Sequence, residues 1–176
     1  MICEIGKLVA IASLPTYVTE KGMNHGPEII RCLHAALDLS ERLGFTVHNE
    51  DDEYGWAQIG KEGPLLCLFL HLDVVPVGNG WIHDPFAMLE TDGFLIGRGV
   101  GDNKGPAIGV LYLMQCIREL KIPMKHALSL YLGCNEEREM LDMQYFTANY
   151  EAPKLSVIAD CGFPVCYGEK GILEGW

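Results

Sequence analysis

The chain has 176 residues, 49% of them hydrophobic and 21% charged, a balance that places it among globular proteins and excludes general disorder. The length suits one domain with a sizeable core. Thirteen Lys and Arg against 24 Asp and Glu leave a formal net charge of −11, a field that repels nucleic acid and anionic membrane surfaces, with no local basic cluster to offset it.

Ile2, Ile5, Leu8, Val9 and Ala12 recur at helical spacing and stop before Pro15, which predicts a short first helix. From Pro27, well suited to a first helical turn, Ile30, Leu33, Leu37 and Leu43 keep the helical period up to Gly44, a residue fit for the left-handed cap. Residues 45–49 and 56–60 read as a hairpin around Asp51-Asp52-Glu53, and 65–70 is an apolar run of buried-strand length. Asp92-Gly93 marks a second hairpin between 88–90 and 94–96, after which Gly97, Gly99, Gly101 and Gly105 crowd one sharply bent loop. Residues 106–120 carry helical periodicity that Pro123 cannot continue, and 127–132 is another buried-type strand. A helix at 141–150 and strands at 155–159 and near 165–168 complete the pattern. Helices alternating with apolar strands predict an α/β fold in which a mixed, mostly parallel sheet is flanked by helices.

The longest apolar stretches, 65–70 and 106–117, fall short of the ~18 residues a membrane span requires. Residues 1–7 lack the basic region, apolar core and cleavage site of a secretory signal, so the expectation is a soluble, cytoplasmic protein with no membrane partner. The cysteines (Cys3, Cys32, Cys67, Cys116, Cys134, Cys161 and Cys166) are odd in number, form no CxxC pair and lie mostly inside apolar runs. They read as reduced, buried thiols rather than a disulfide framework or a zinc knuckle.

In open α/β sheets ligands bind beyond the carboxyl ends of the strands. The run 65–70 ends in His71-Leu72-Asp73, 127–132 leads through Gly133-Cys134-Asn135 to Glu136-Glu137, and 155–159 ends in Asp160. The glycine loop adds Asp102. Five acids and a histidine at one sheet edge repel one another unless cations neutralise them, and a His-plus-carboxylate set suits zinc or manganese. His71 and Asp73, two apart, share a face of an extended backbone, where the carboxylate is expected to accept the second imidazole N–H. Singly, these residues are a buried histidine, an acidic pair opening a helix, a turn residue and a strand-end cap; their coincidence points to a metal site. GxGxxG, GxxxxGK[ST] and GxSxG are absent, and Cys134, with no histidine placed to activate it, reads as a buried thiol.

The ordered set His71-Leu72-Asp73-Val74-Val75-Pro76-Val77-Gly78, Trp81 with Asp84-Pro85-Phe86, Gly97-Arg98-Gly99-Val100-Gly101-Asp102-Asn103-Lys104-Gly105-Pro106, Asn135-Glu136-Glu137, and Phe163-Pro164 with Gly168-Glu169-Lys170-Gly171 resembles the co-catalytic metallopeptidase family of PepV-type and carnosine-type dipeptidases, acetylornithine deacetylase and succinyl-diaminopimelate desuccinylase. The GNGW…DPF spacing and the GDNKGP loop most resemble the PepV-like, Xaa-His dipeptidase branch. The resemblance implies a three-layer, zinc-peptidase-like catalytic domain that hydrolyses the amide bond of a dipeptide or an N-acylated amino acid. It implies two Zn²⁺ ions per complete site, with Mn²⁺ or Co²⁺ as substitutes. Asp102 would bridge them, His71 and Asp160 would complete one site, Glu137 would belong to the other, Glu136 would be the general base, and Asp73 would be a catalytic partner of His71. It further implies a cis Asp102–Asn103 peptide.

Two departures stand out. Ala159 replaces the usual Pro before the last metal carboxylate, and a histidine expected to complete the second metal site is not found among the later residues. Residues 1–176 are therefore expected to form the N-terminal portion of a catalytic domain, without its lid or dimerisation domain and C-terminal part. The competing expectations are a dipeptidase, a deacylase of the same chemistry, and a non-catalytic metal-binding fragment that associates through uncovered apolar surface.

Overall fold

The computed structural model describes residues 1–15, 25–60, 65–162 and 166. In chain order the elements are α1 (Ile2–Val9), α2 (Pro27–Arg42), β1 (Thr46–Glu50), β2 (Tyr54–Ile59), β3 (Leu65–His71), β4 (Leu89–Thr91), β5 (Phe94–Ile96), α3 (Lys104–Glu119), β6 (Ala127–Gly133), α4 (Leu141–Asn149) and β7 (Leu155–Ile158). Among the described residues five strands form one mixed sheet in the order β1-β2-β6-β3-β7, while β4 and β5 make a separate hairpin. The β1–β2 and β2–β6 pairs are antiparallel, and β3 runs parallel to both β6 and β7.

The period of two along each strand sorts the side chains into two layers. Leu66, Leu68 and Leu70 of β3 and Leu128, Leu130 and Leu132 of β6 join an aliphatic core with α1, α2 and α3, to which those helices contribute Val9, Ile29, Leu33, Ile108, Leu111 and Met114. Full burial of each such side chain is worth roughly 1.5–3 kcal/mol. The alternate residues Cys67, Phe69 and Tyr131 face the other way and meet Tyr54 and Phe146. There α4 seats Phe146 edge-on to Phe69 and Tyr131, with ring centroids 5.8 and 5.4 Å away. Helices thus cover both faces of the sheet.

The elements match the sequence pattern with small, explicable shifts. Helix α3 starts at Lys104, before Pro106, because a proline in the first turn lacks an N–H that would have no intrahelical acceptor there. The strands β3 and β6 each run one residue further than the apolar pattern, to His71 and Gly133. The strand expected near 165–168 lies outside the described residues apart from Cys166. The reading of the cysteines as buried needs correction: Cys32, Cys67 and Cys134 are buried, whereas Cys3, Cys116, Cys161 and Cys166 are exposed. Cys3 and Cys116 fall between the inward stripes of α1 and α3, a distinction the apolar composition of those runs hides. Among the described residues no helix is long and apolar enough to cross a membrane.

Candidate metal centre

In the parallel register of β3 and β6, His71 stands opposite Gly133, so the segments that follow both strands leave the sheet side by side. Asp160 follows β7, on the other flank of β3. The glycine loop supplies Asp102, just before the first turn of α3. Gly105 permits its tight path, since a Cβ there would lie 1.9 Å from the carbonyl oxygen of Val100. The Asp102–Asn103 peptide is cis, as the resemblance implied.

Next in the chain, Lys104 is completely buried, and its ammonium donates to the carbonyls of Leu8 (3.0 Å) and Ile11 (2.7 Å) at the end of α1. Burial pushes its pKa down. Ser13, just beyond, donates its hydroxyl to the Leu72 carbonyl (2.6 Å) and accepts the Val74 amide on its own carbonyl (3.1 Å).

Three carboxylates converge on one imidazole nitrogen. His71 Nε2 lies 3.0 Å from Asp102 Oδ1, 3.5 Å from Asp160 Oδ2 and 3.7 Å from Glu136 Oε2. The ring's other nitrogen, Nδ1, faces Asp73 as expected, but its nearer partner is the backbone carbonyl of Asp73 at 3.0 Å, with the Asp73 carboxylate at 3.4 Å. That carboxylate is engaged elsewhere, accepting the amides of Glu136 (3.3 Å) and Glu137 (3.0 Å). The glutamates do not open a helix; residues 136–139 form a turn, and α4 begins at Leu141.

Burial opposes a charge on His71, but Asp73, then Asp160 and Glu136, outweigh it and raise its pKa to about 9. Burial likewise pushes the carboxyls of Glu136, Glu137 and Asp160 up, with neighbouring acids adding to the effect. Such a cluster is costly without a counter-charge.

A divalent cation fits these residues. His71 Nε2 is buried without a hydrogen-bond partner although three carboxylates lie within 3.7 Å of it, a donor set that a shared ion would complete. Two donor groups meet there, His71 with Asp102 and Asp160, and His71 with Glu136 and Glu137; the donor atoms of each group lie within 4.8 Å of one another. The nitrogen and oxygen donors suit Zn²⁺ or Mn²⁺. Beside them opens a cavity of about 340 Å³ that runs from His71, Glu136 and Asp160 to Phe69, Met143 and Phe146.

The structure thus gathers His71, Asp73, Asp102, Glu136, Glu137 and Asp160 at one edge of the sheet. Sequence reasoning missed the supports: Lys104 beneath Asp102, and Asp142 behind the Glu136–Glu137 turn. The only hint of the first was a lysine inside the glycine loop. Cys134 is fully buried, which raises its pKa well above the ordinary thiol value and fits the inert-thiol reading.

Residues 67–174 match the model of peptidase family M20/M25/M40. Two curated relatives, each named "Putative dipeptidase", come from Staphylococcus haemolyticus and Bacillus subtilis. The first is 34% identical over 147 residues, 84% of this chain and 31% of the relative. The second is 29% identical over 153 residues, 87% of this chain and 33% of the relative. The chain therefore spans about a third of the length of the curated relatives it matches. Human carnosine dipeptidase 1 superposes with a TM-score of 0.74 at 24% identity, covering 92% of this chain and 38% of that one. A metallo-carboxypeptidase of the same family from Sulfolobus solfataricus gives 0.74 at 17% identity, covering 92% and 37%. At such identities the superpositions establish the shared fold.

Proposed function

The chain belongs to peptidase family M20/M25/M40, and from that premise we propose that it carries the metal-holding part of a centre that hydrolyses the amide bond of dipeptides. The observation that supports this most directly is the buried, unpartnered Nε2 of His71 facing three carboxylates. The relatives' dipeptidase names support the substrate class.

In this reading His71, Asp102 and Asp160 hold one divalent ion, and Asp102 with Glu137 holds a second. Bound there, Zn²⁺, Mn²⁺ or Co²⁺ supplies Lewis acidity to a scissile carbonyl and makes water a stronger acid. Glu136 takes the proton from the attacking water and returns it to the departing amine, a task for which its upward-shifted pKa suits it. Asp73 keeps the His71 ring in register and ties down the amides of both glutamates. The adjoining cavity receives an apolar portion of the substrate.

Among the described residues His71 is the one imidazole in these donor groups and its Nδ1 is already engaged, so the ion it holds binds tightly and the one held by Asp102 and Glu137, with no imidazole of its own, weakly. For that reason residues 1–176 alone hydrolyse no dipeptide at a meaningful rate.

The test uses a protein of the relatives' full length, assayed on Xaa-His dipeptides with Zn²⁺ or Mn²⁺. Glu136→Gln lowers turnover by about 10²–10⁴-fold with metal content little changed, whereas Glu137→Gln depletes metal first. Loss of metal with persistent activity in Glu136→Gln would exchange the two roles.

A further inference from the structure

The turn that bears Glu136 and Glu137 is gripped by two buried carboxylates, and the chemistry above uses only one. Asp73 takes the amides of residues 136 and 137. Asp142, 1% exposed, takes the two before them: its Oδ2 accepts the Cys134 amide at 2.7 Å and the Asn135 amide at 3.2 Å. Its Oδ1 accepts the Met143 amide at 2.8 Å. Four consecutive backbone amides, 134–137, are therefore held by two carboxylates.

Capping α4 alone does not explain Asp142. An acid in the first turn of a helix gains its dipole interaction from an exposed position, and burying a carboxylate is costly unless hydrogen bonds compensate. Only the bond to Met143 serves the helix, while the two bonds to Cys134 and Asn135 reach back to the end of β6. The strand is shaped to receive them, because a Cβ on Gly133 would lie 2.7 Å from Asp142 Oδ2. Asn135 reinforces the turn, its side-chain oxygen accepting the amides of Glu139 (3.4 Å) and Leu141 (3.1 Å).

We propose that Asp142 is a positioning residue for the hydrolytic centre: with Asp73 it fixes the turn so that Glu136 and Glu137 are presented to the ion held by His71. The assignment rests on the metal reading above.

The test compares the unaltered chain with Asp142→Ala, Asp142→Asn and Gly133→Ala. Two measurements are made: amide hydrogen exchange without metal, and Co²⁺ titration followed by visible absorption. Asp142→Ala is expected to speed exchange at residues 134–137, weaken Co²⁺ binding by about 10–100-fold, the usual effect of removing an outer support, and alter the Co²⁺ spectrum. Asp142→Asn, keeping one acceptor oxygen, falls between it and the unaltered chain. A merely structural role lowers the melting temperature but leaves the Co²⁺ spectrum and affinity of the folded protein unchanged, and that result overturns the assignment. Should Asp142→Ala not fold, an unchanged Co²⁺ spectrum in Asp142→Asn and Gly133→Ala overturns it equally, and a weakened, altered one supports it. If the unaltered chain takes up no Co²⁺, the metal reading itself fails and the assignment falls with it, an outcome visible before any variant is made.

Discussion

Strands β6 and β7 flank the same strand in the same parallel sense, yet they differ in almost everything else. All seven residues of β6 are buried, and it pairs with β3 along its whole length. β7 pairs over four residues and is exposed at every position, with Leu155 at 59%, Val157 at 42% and Ile158 at 68%. Parallel strands are ordinarily covered on both faces, so β7 is the exception among the described elements. Both nevertheless lead to site residues: Glu136 and Glu137 follow β6, and Asp160 follows β7. One centre thus draws on a deeply supported wall and a lightly supported one.

The sharpest test of that inequality is metal binding. His71 belongs to both donor groups and Asp160 to one. His71→Ala should weaken uptake by more than about 100-fold, since outer partners alone are worth 10–100-fold. Asp160→Ala should weaken it less, because His71 and Asp102 remain to hold the ion. Calorimetric titration with Zn²⁺ distinguishes the two, and equal losses would break the comparison.

Stability follows the same order. Leu130→Ala, at a fully buried position in β6, should cost about 2–5 kcal/mol in denaturant unfolding.

Protons report on the supported wall as well. With a pKa raised from 6.5 to about 9, His71 is protonated at neutral pH in the metal-free chain. Metal uptake at pH 7 should therefore release about one proton, measurable by calorimetry in buffers of different ionisation enthalpy. The sign for stability is fixed: this proton stabilises the metal-free fold fully below about pH 6.5, and the contribution disappears as pH rises through about 9. A metal-free melting temperature that rose across that interval would contradict the environment assigned to His71.

The smallest effect is expected on β7, where Val157→Ala should change stability by no more than about 0.5 kcal/mol. A loss comparable to that of Leu130→Ala would mean that this strand is covered after all.

Much of this arrangement was legible in the sequence because hydrophobic period and strand ends are local signals. The apolar runs 65–70 and 127–132 place His71 and the approach to Glu136 on the correct edge, and the resemblance supplied the roles. What escaped was tertiary. Nothing in the local sequence marks Lys104 or Asp142 as buried, yet both are, because distant backbone groups, the carbonyls of Leu8 and Ile11 and the amides at the end of β6, complete their hydrogen bonds. The HxD pair was recognised, but the two glutamate amides compete for the Asp73 carboxylate, and no spacing rule anticipates that. The exposure of Cys3 and Cys116 depends on which helix face turns inward.

The segment from Leu8 to Ser13 supplies no site residue, yet it seats Lys104 and holds Leu72 and Val74. It is a shared footing for the two loops that frame His71 and Asp102. Shortening the chain to begin after it would strand a buried ammonium two positions from Asp102. In protein engineering, residues 8–13 therefore have to be kept intact together with the loops they seat.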